Sequence, residues 1–186
     1  MSAAHTGSVS RYYRTENVRQ MWRMVTDQTR FHPASGPVER LGADDVERLN
    51  TLFSWGGPAY YSAHQIEHTV IFGLSVAGRL VAAAGTHVVS PQHGVAAVGN
   101  VFTHVDYRGR GFAKACTSAV VAELLRLGCK DVVLNVRQDN APAVAAYTAL
   151  GFRVHCPYIE ATARRRSQVE QALSSILPSK SLLRRT

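Results

Sequence analysis

The chain has 186 residues, of which 46% are hydrophobic and 18% charged, and a formal net charge of +8. These values are typical of a globular protein with a single domain and a substantial core. No apolar run approaches the roughly 20 residues that a membrane-spanning helix needs, which excludes a helical membrane protein, and we expect no membrane partner.

The first predicted elements are a short lead and a long helix. Residues 1–10 are typical of a disordered lead, and residues 11–160 of a single domain. Within residues 11–31, apolar side chains recur at helical spacing, which predicts a helix whose inner face carries Val18, Met21, Trp22 and Val25. Residues 32–37 contain two prolines and a glycine, so we expect the helix to end there.

The next part of the chain predicts a strand, two helices and a β-hairpin. Residues 38–41 are typical of a strand, and a helix starts at Asp44 or Asp45. Ser62 can cap a short helix over residues 62–68. Two strands, residues 70–74 and 79–89, flank a turn at Ala77 and Gly78.

The most informative stretch covers residues 95–125. It begins as an apolar strand, passes through a loop with two glycines and two arginines, and continues as a helix. Glycines let a backbone approach an anion closely, and the first N–H groups of a helix have no internal partners. The stretch therefore predicts a phosphate-binding loop, although an ordinary turn with solvated arginines would also fit.

The spacing in this loop is Arg108-x-x-Gly111-x-Ala113, and it follows Asp106 and Tyr107. This pattern resembles the acyl-CoA pyrophosphate loop of the GNAT superfamily of N-acetyltransferases. The resemblance implies an α/β (α+β) fold with a mixed, mostly antiparallel central sheet, a splay between two strands, and flanking helices.

A second stretch resembles the same superfamily. Residues 132–136 are typical of a strand, residues 137–140 of a turn, and Pro142 of the first turn of a helix that Asp139 or Asn140 caps. Gly151 ends this helix and a strand follows. The frame that resembles the second GNAT signature is Asn140-x-x-Ala143-x-x-x-Tyr147-x-x-x-Gly151-Phe152. With both signatures in order, the resemblance covers residues 71–158.

The resemblance implies a donor site for acetyl-CoA. Backbone groups of the strand before the loop would hold the pantetheine arm and the thioester carbonyl, and the loop would hold the pyrophosphate. Asn140 would bind the pantetheine region and Ala143 would leave space for it. The implied binding residues are Val101, Phe102, Thr103, Arg108, Gly109, Arg110, Gly111, Phe112, Ala113, Lys114, Asn140 and Ala143.

The resemblance also implies one catalytic residue, Tyr147, which would protonate the departing thiolate; a plain core aromatic is the alternative. Some family members have a glutamate base five residues before the asparagine, where this chain has Asn135. The base is therefore open between His104, His87, Glu67 and water. No catalytic metal is implied.

The sequence says less about the acceptor substrate, the binding partners and the cellular location. Trp55, Tyr60 and Tyr61, in the loop of residues 54–61, could either line the acceptor pocket or pack the fold. A coenzyme A site accounts for the positive charge better than nucleic acid does. The start lacks a signal-peptide pattern and the three cysteines lack metal or redox spacing, so we expect a cytoplasmic protein.

The predicted function is direct transfer of an acetyl group from coenzyme A to a primary amine of a small molecule or peptide in a ternary complex. A non-catalytic acyl-CoA-binding or sensing module of the same fold is the alternative. Residues 161–186 are predicted to contain a C-terminal helix and a basic tail, and the helical spacing begins near Tyr158. This helix could pack on the domain or mediate a homodimer.

Overall fold

The computed structural model of this chain describes Met1, residues 5–57 and residues 60–167. The strands are β1 (Tyr13–Asp27), β2 (Val38–Arg40), β3 (Phe72–Val76), β4 (Arg79–Ser90), β5 (Val95–Thr103), β6 (Asp131–Arg137) and β7 (Arg153–Arg165). The helices are α1 (Thr6–Tyr12), α2 (Val46–Phe53), α3 (Ala63–Glu67), α4 (Phe112–Arg126) and α5 (Ala141–Ala149).

The seven strands form one mixed sheet in the order β2-β3-β4-β5-β6-β1-β7. The pairs β2–β3, β3–β4 and β4–β5 are antiparallel, and β5–β6 is parallel. The predicted fold class, a mostly antiparallel sheet flanked by helices, is therefore confirmed.

The sheet opens between β5 and β6. Within the described register, these strands pair from Val95 and Asp131 to Val98 and Leu134. Both strands continue in the same direction beyond that point, β5 to Thr103 and β6 to Arg137. Their carboxyl ends therefore lie side by side without a ladder, which is the predicted splay.

The sheet packs its helices through two hydrophobic clusters. The larger cluster joins α4 and α5 to the sheet, with Cys116, Val120 and Leu124 fully or almost fully buried. The smaller cluster joins α2 and α3 to β4 and β5 and includes Leu49, Phe53 and Ile66. Because fully burying a large apolar side chain contributes about 1.5–3 kcal/mol, these clusters hold the helices on the sheet.

The predicted helix over residues 11–31 is wrong. The chain forms α1 up to Tyr12 and then the 15-residue strand β1. Met21 and Val25 are buried as the helical spacing requires, but so are the consecutive residues Met24, Val25 and Thr26, as in a strand covered on both faces. Pairing within the sheet therefore overrides a helical pattern that four side chains match by coincidence.

The two ends of the chain also differ from the predictions. Thr6–Tyr12 is a helix with no buried residue, where a disordered lead was expected. The predicted C-terminal helix does not begin at Tyr158, because β7 continues to Arg165. Its remainder, from residue 168 onward, lies outside the described residues.

The other predicted elements are confirmed within a few residues. Asp45 precedes α2, Ser62 caps α3 by accepting from the Gln65 N–H, and the β3–β4 hairpin turns at Ala77 and Gly78. No helix in the described parts of the chain combines the length and apolarity that a bilayer crossing requires.

The chain divides into two compact units. The larger contains residues 22–156 and therefore all the predicted site residues. The smaller contains residues 1–21 and 157–186; within its described part, the Met1 ammonium donates to the Ile159 carbonyl at 2.7 Å and the Arg166 N–H donates to the Tyr12 carbonyl at 2.9 Å.

Candidate functional site

The glycine-rich loop is shaped by two left-handed residues. Gly109 and Gly111 have φ of 76° and 78°, values that cost a residue with a β-carbon about 1–2 kcal/mol. Nothing lies within 4 Å of the position where a β-carbon would stand on either glycine. The loop therefore offers bare backbone with free space around it, as the close approach of an anion requires.

The loop leads directly into the amino end of α4. Gly111 is the N-cap of this 15-residue helix and has no side chain that could cap it. The first N–H groups of a helix have no acceptor inside the helix, and the helix dipole makes this end positive. The geometry thus fits a pyrophosphate, as the sequence predicts for residues 109–114.

The two arginine side chains of this loop are held beside it by contacts with neighbouring residues. Arg108 Nε donates to the Thr103 carbonyl at 3.2 Å, which links the loop to the end of β5. Arg110 donates to the Asp106 carbonyl at 3.3 Å, and its guanidinium lies 5.1 Å from the centre of the Tyr107 ring. Their exposed charge, with that of half-buried Lys114, favours a negative ligand.

At the end of β5, Thr103 has a hydroxyl group without a described partner, and Phe102 packs into the fold. The Thr103 hydroxyl oxygen is buried and has no hydrogen-bond partner in the described part of the chain. Phe102 instead packs edge-to-face on Phe53, with ring centres 6.0 Å apart. The strand can therefore offer a ligand its backbone at residues 101–103 and the Thr103 hydroxyl, but not the Phe102 ring.

The second signature places Asn140 at the start of α5. Its side-chain oxygen accepts from the Ala143 N–H at 3.3 Å, so Asn140 is the helix cap. Asp139 is instead paired with Arg137. The cap uses the carboxamide oxygen, which leaves the Asn140 amide group to donate to a ligand.

Tyr147 lies in the larger hydrophobic cluster, which Val101, Phe112 and Ala143 also contact. Its side chain is 8% exposed, and its ring centre lies 6.1 Å from that of Phe152. Burial raises the pKa of Tyr147 to about 12. The phenol therefore keeps its proton at neutral pH, and residues of both sequence signatures contact the cluster that holds it.

A β-bulge marks the place where the sheet opens. Ala83 pairs with Phe102 and Gly85 with Gly99, so two residues of β5 stand opposite one of β4. Asn100, in the bulge, has φ of 51°. A bulge frees backbone groups from the ladder, and here it does so next to the open gap between β5 and β6.

Tyr61 supports the bulge and is not a mobile loop residue. Its backbone N–H and carbonyl are both bonded to the Asn50 carboxamide at 2.8 Å. Its buried hydroxyl accepts a hydrogen bond from the Asn100 amide. Burial raises the pKa of this phenol, and the Asn100 contact opposes the shift. Of the two alternatives for Tyr61, packing is the one that its position fits.

His87 covers the backbone of β5 at Gly99. A β-carbon at Gly99 would overlap three atoms of the His87 imidazole, so glycine makes room for this ring. Val98 and Leu134 are paired and buried. Because side chains alternate along a strand, position 99 and Asn135, which follow them, face the other side of the sheet. His87 therefore lies on the sheet face of Asn135, where some relatives have a glutamate.

The other base candidates have different surroundings. His104 is buried, with Nε2 3.4 Å from an Arg79 nitrogen and Nδ1 3.4 Å from the Asp106 backbone N–H, so protein donors face both ring nitrogens. Glu67 is exposed on α3 beside two histidines. Of the three candidates, His87 is the exposed side chain that lies against the β5 backbone at Gly99, one residue beyond the β5–β6 pair of Val98 and Leu134.

The remaining aromatics of the predicted acceptor loop stay accessible. Trp55 is 60% exposed, with its ring centre 5.0 Å from that of His104, and Arg79 lies over its face at 5.6 Å. Tyr60 is 81% exposed. Both can contact a substrate, whereas residues 58 and 59 of this loop lie outside the described residues.

Sequence reasoning missed Gly99, Asn100 and Arg23. A Gly-Asn pair inside an apolar strand is a recognised sign of a bulge and could have identified the first two. Arg23 Nε donates to the Asn135 side-chain oxygen at 3.2 Å. Only the position of β1 beside β6 brings these two residues together, and nothing in the sequence near Arg23 indicates it.

The chain matches known acetyltransferases in sequence. The profile of the acetyltransferase (GNAT) family matches residues 38–152. The [ribosomal protein bS18]-alanine N-acetyltransferase of Escherichia coli (strain K12) is 32% identical over 120 residues, which are 64% of this chain and 74% of that protein. A mycothiol acetyltransferase of Corynebacterium aurimucosum is 30% identical over 166 residues, or 82% of this chain, but this chain spans only 49% of its length.

Solved structures agree with this match. A structure described as a GNAT-family acetyltransferase from Novosphingobium aromaticivorans superposes with a TM-score of 0.71 and 26% identity, over 83% of this chain and 68% of that one. The Escherichia coli ribosomal-protein-S18-alanine N-acetyltransferase shares the fold, with a TM-score of 0.53 and 23% identity over 70% of this chain and 94% of that one.

Proposed function

The chain belongs to the GNAT family of acetyltransferases, and from this premise we propose that it moves an acetyl group from acetyl-CoA to a primary amine of a small molecule or peptide. The observation that carries the donor half is the bare glycine loop at the uncapped start of α4. Its N–H groups bind the pyrophosphate, with Arg108, Arg110 and Lys114 adding charge.

The rest of the donor lies along the β5–β6 gap. Backbone groups of residues 101–103 hold the pantetheine arm, and the Asn140 amide donates to it. This placement agrees with the unpartnered Thr103 hydroxyl, which is a ready donor or acceptor for that arm. The bulge at Asn100 supplies backbone groups near the thioester carbonyl, where they stabilise the negative charge that develops during attack.

The chemistry is a direct displacement within a ternary complex. The neutral amine attacks the thioester carbonyl carbon, a C–N bond forms and the C–S bond breaks. His87 accepts the proton that the amine loses, since it lies on the correct sheet face and is exposed. Tyr147 donates the proton that the departing thiolate gains, since its phenol is protonated at neutral pH. Burial raises the pKa of Tyr147 to about 12 and so makes it a weaker acid, which the negative charge of the departing thiolate must offset by attracting the proton.

The acceptor approaches from the sheet face that carries His87 and Asn135. Exposed Trp55 and Tyr60 contact it, and Arg23 beside Asn135 places a positive charge near its path. The relatives act on the alanine of a ribosomal protein or are mycothiol acetyltransferases. Because the positive charge of Arg23 repels cations, we favour amines with neutral or acidic surroundings over polycationic ones.

A thiol-release assay tests this function. Wild-type enzyme, acetyl-CoA and a panel of small amines and amino-terminal peptides are expected to release coenzyme A in proportion to acetylated product. Coenzyme A binding without release for any amine would instead support the sensing module. Gly111→Asp should lose this activity, and Gly128→Asp is its matched control, because Gly128 has φ of 91° at the opposite end of α4.

A further inference from the structure

Three metal-binding side chains lie together on the short helix α3. Glu67 and His68 follow His64 by three and four positions, so all three project from one side of the helix. One ligand atom from each lies within 4.8 Å of the others, and all three residues are exposed. In the described ranges, no other group of three histidine, cysteine or carboxylate side chains comes this close.

The imidazole of His68 is already oriented as a ligand. Its Nδ1 lies 3.1 Å from the His64 carbonyl oxygen. Because a carbonyl only accepts hydrogen bonds, Nδ1 carries the proton and Nε2 keeps its lone pair. Histidines that bind metals commonly donate their second nitrogen to a backbone carbonyl in this way. The ring centre of His64 lies 4.4 Å away, so a second imidazole is adjacent.

We propose that His64, Glu67 and His68 bind a divalent transition-metal ion of the zinc class at the surface of α3. Two imidazoles and one carboxylate are a donor set that Zn²⁺ accepts, with water in the remaining position. Mg²⁺ and Ca²⁺ prefer oxygen ligands and do not match it. The side chains are exposed, so small rotations close the remaining distance to the ion.

The ion would stabilise a weak element of the fold. A helix of five residues is too short to be stable by itself, and a metal that bridges its two ends removes that weakness. α3 follows Tyr61 directly, and its buried Ile66 packs in the same cluster as Tyr61. Metal binding therefore stabilises the segment that holds the Tyr61 hydroxyl against Asn100.

Titration of the full chain with ZnCl₂ tests the proposal, without an affinity tag because a histidine tag binds the same ions. We expect one saturable site by calorimetry and a higher midpoint of thermal unfolding, with no effect of MgCl₂. His64→Ala, His68→Ala and Glu67→Gln should each weaken Zn²⁺ binding about tenfold or more. The control is His93→Ala, which removes an exposed histidine paired with Ser90 and should leave the affinity unchanged.

Two results would overturn the assignment. One is a Zn²⁺ site of unchanged affinity in the double variant His64→Ala and His68→Ala, which would place the ion elsewhere, for example on a cysteine. The other is the absence of saturable binding in the folded wild-type chain. Circular dichroism checks that each variant is folded. We expect all of them to fold, because the three side chains are exposed.

Discussion

The proposed donor and acceptor halves of the site differ in how they are built. The donor half is mostly backbone within residues 101–114: two left-handed glycines, the start of α4 and the end of β5. The Asn140 side chain joins it from the start of α5. The acceptor half is mostly side chains from distant parts of the chain: Arg23, Trp55, His87 and Asn135. Local backbone geometry is specified by a short sequence, whereas a face assembled across four elements depends on strand order and register.

The largest expected effect lies in the acceptor half. His87→Ala removes the proposed base but leaves the β5 backbone at Gly99 in place, so kcat should fall by roughly 100- to 10,000-fold. Raising the pH should recover part of this loss, since more of the amine is then neutral. Steady-state kinetics over pH measures both effects.

His93→Ala serves as the control for the His87 change, since His93 is an exposed histidine on the turn after β4. An unchanged kcat in His87→Ala, with the same dependence on pH, would leave water as the base and make His87 a surface residue.

The next effect concerns Tyr147. Tyr147→Phe keeps the ring contact with Phe152 but removes the proton donor. We expect kcat to fall by about 10- to 1000-fold while the affinity for coenzyme A changes little. Thiol release and calorimetry measure the two quantities, and equal activity in both proteins would show that Tyr147 only packs the core.

A smaller effect separates two neighbouring tyrosines. Tyr60→Ala should raise the KM for the amine by no more than about tenfold, and spare that for acetyl-CoA, because exposed rim contacts contribute about 1 kcal/mol. Tyr61→Ala should instead lower stability, since Tyr61 is buried against Phe53. Kinetics with each substrate varied and thermal unfolding distinguish the two. If Tyr60→Ala changes both KM values alike, Tyr60 does not line the acceptor pocket.

The last effect is on stability rather than on catalysis, and it tests the larger hydrophobic cluster. Burial raises the pKa of the Cys116 thiol from 9.0 to about 12. The unfolded chain therefore loses this proton first, and the free energy of unfolding should fall as the pH rises from 9.0 towards 12, by at most about 1.4 kcal/mol per pH unit. Denaturant unfolding should show a shallower fall in Cys116→Ala but not in the control Cys156→Ala. Identical slopes in all three proteins would contradict the burial of Cys116.

The contrast between the donor and acceptor halves also explains which features could be predicted from the sequence. The spacing of Arg108, Gly111 and Ala113 located the loop and α4, and the frame around Asn140 located α5, because each pattern encodes one local conformation. β1 was missed because Val18, Met21, Trp22 and Val25 match a helix while the chain pairs in a sheet.

The contacts of the acceptor half could not be predicted from the spacing of residues in the sequence. The contact between His87 and Gly99 depends on two irregularities in the β4–β5 register. Tyr61, read as one of three loop aromatics, is fixed by Asn50 and Asn100. The proposed surface metal site was not considered from the sequence, because the search for metal spacing covered the three cysteines and not His64, Glu67 and His68.

Calorimetric titration of coenzyme A into wild type, Gly111→Asp and Gly128→Asp tests the central claim most directly. Both variants place the same side chain at a left-handed position of similar φ, but only Gly111 lies at the proposed pyrophosphate site. We predict that Gly111→Asp lowers the affinity at least about 100-fold, through steric and like-charge repulsion of the phosphates, while Gly128→Asp binds as wild type does. Equal affinity in folded Gly111→Asp and wild type would contradict the assignment of this loop to acetyl-CoA.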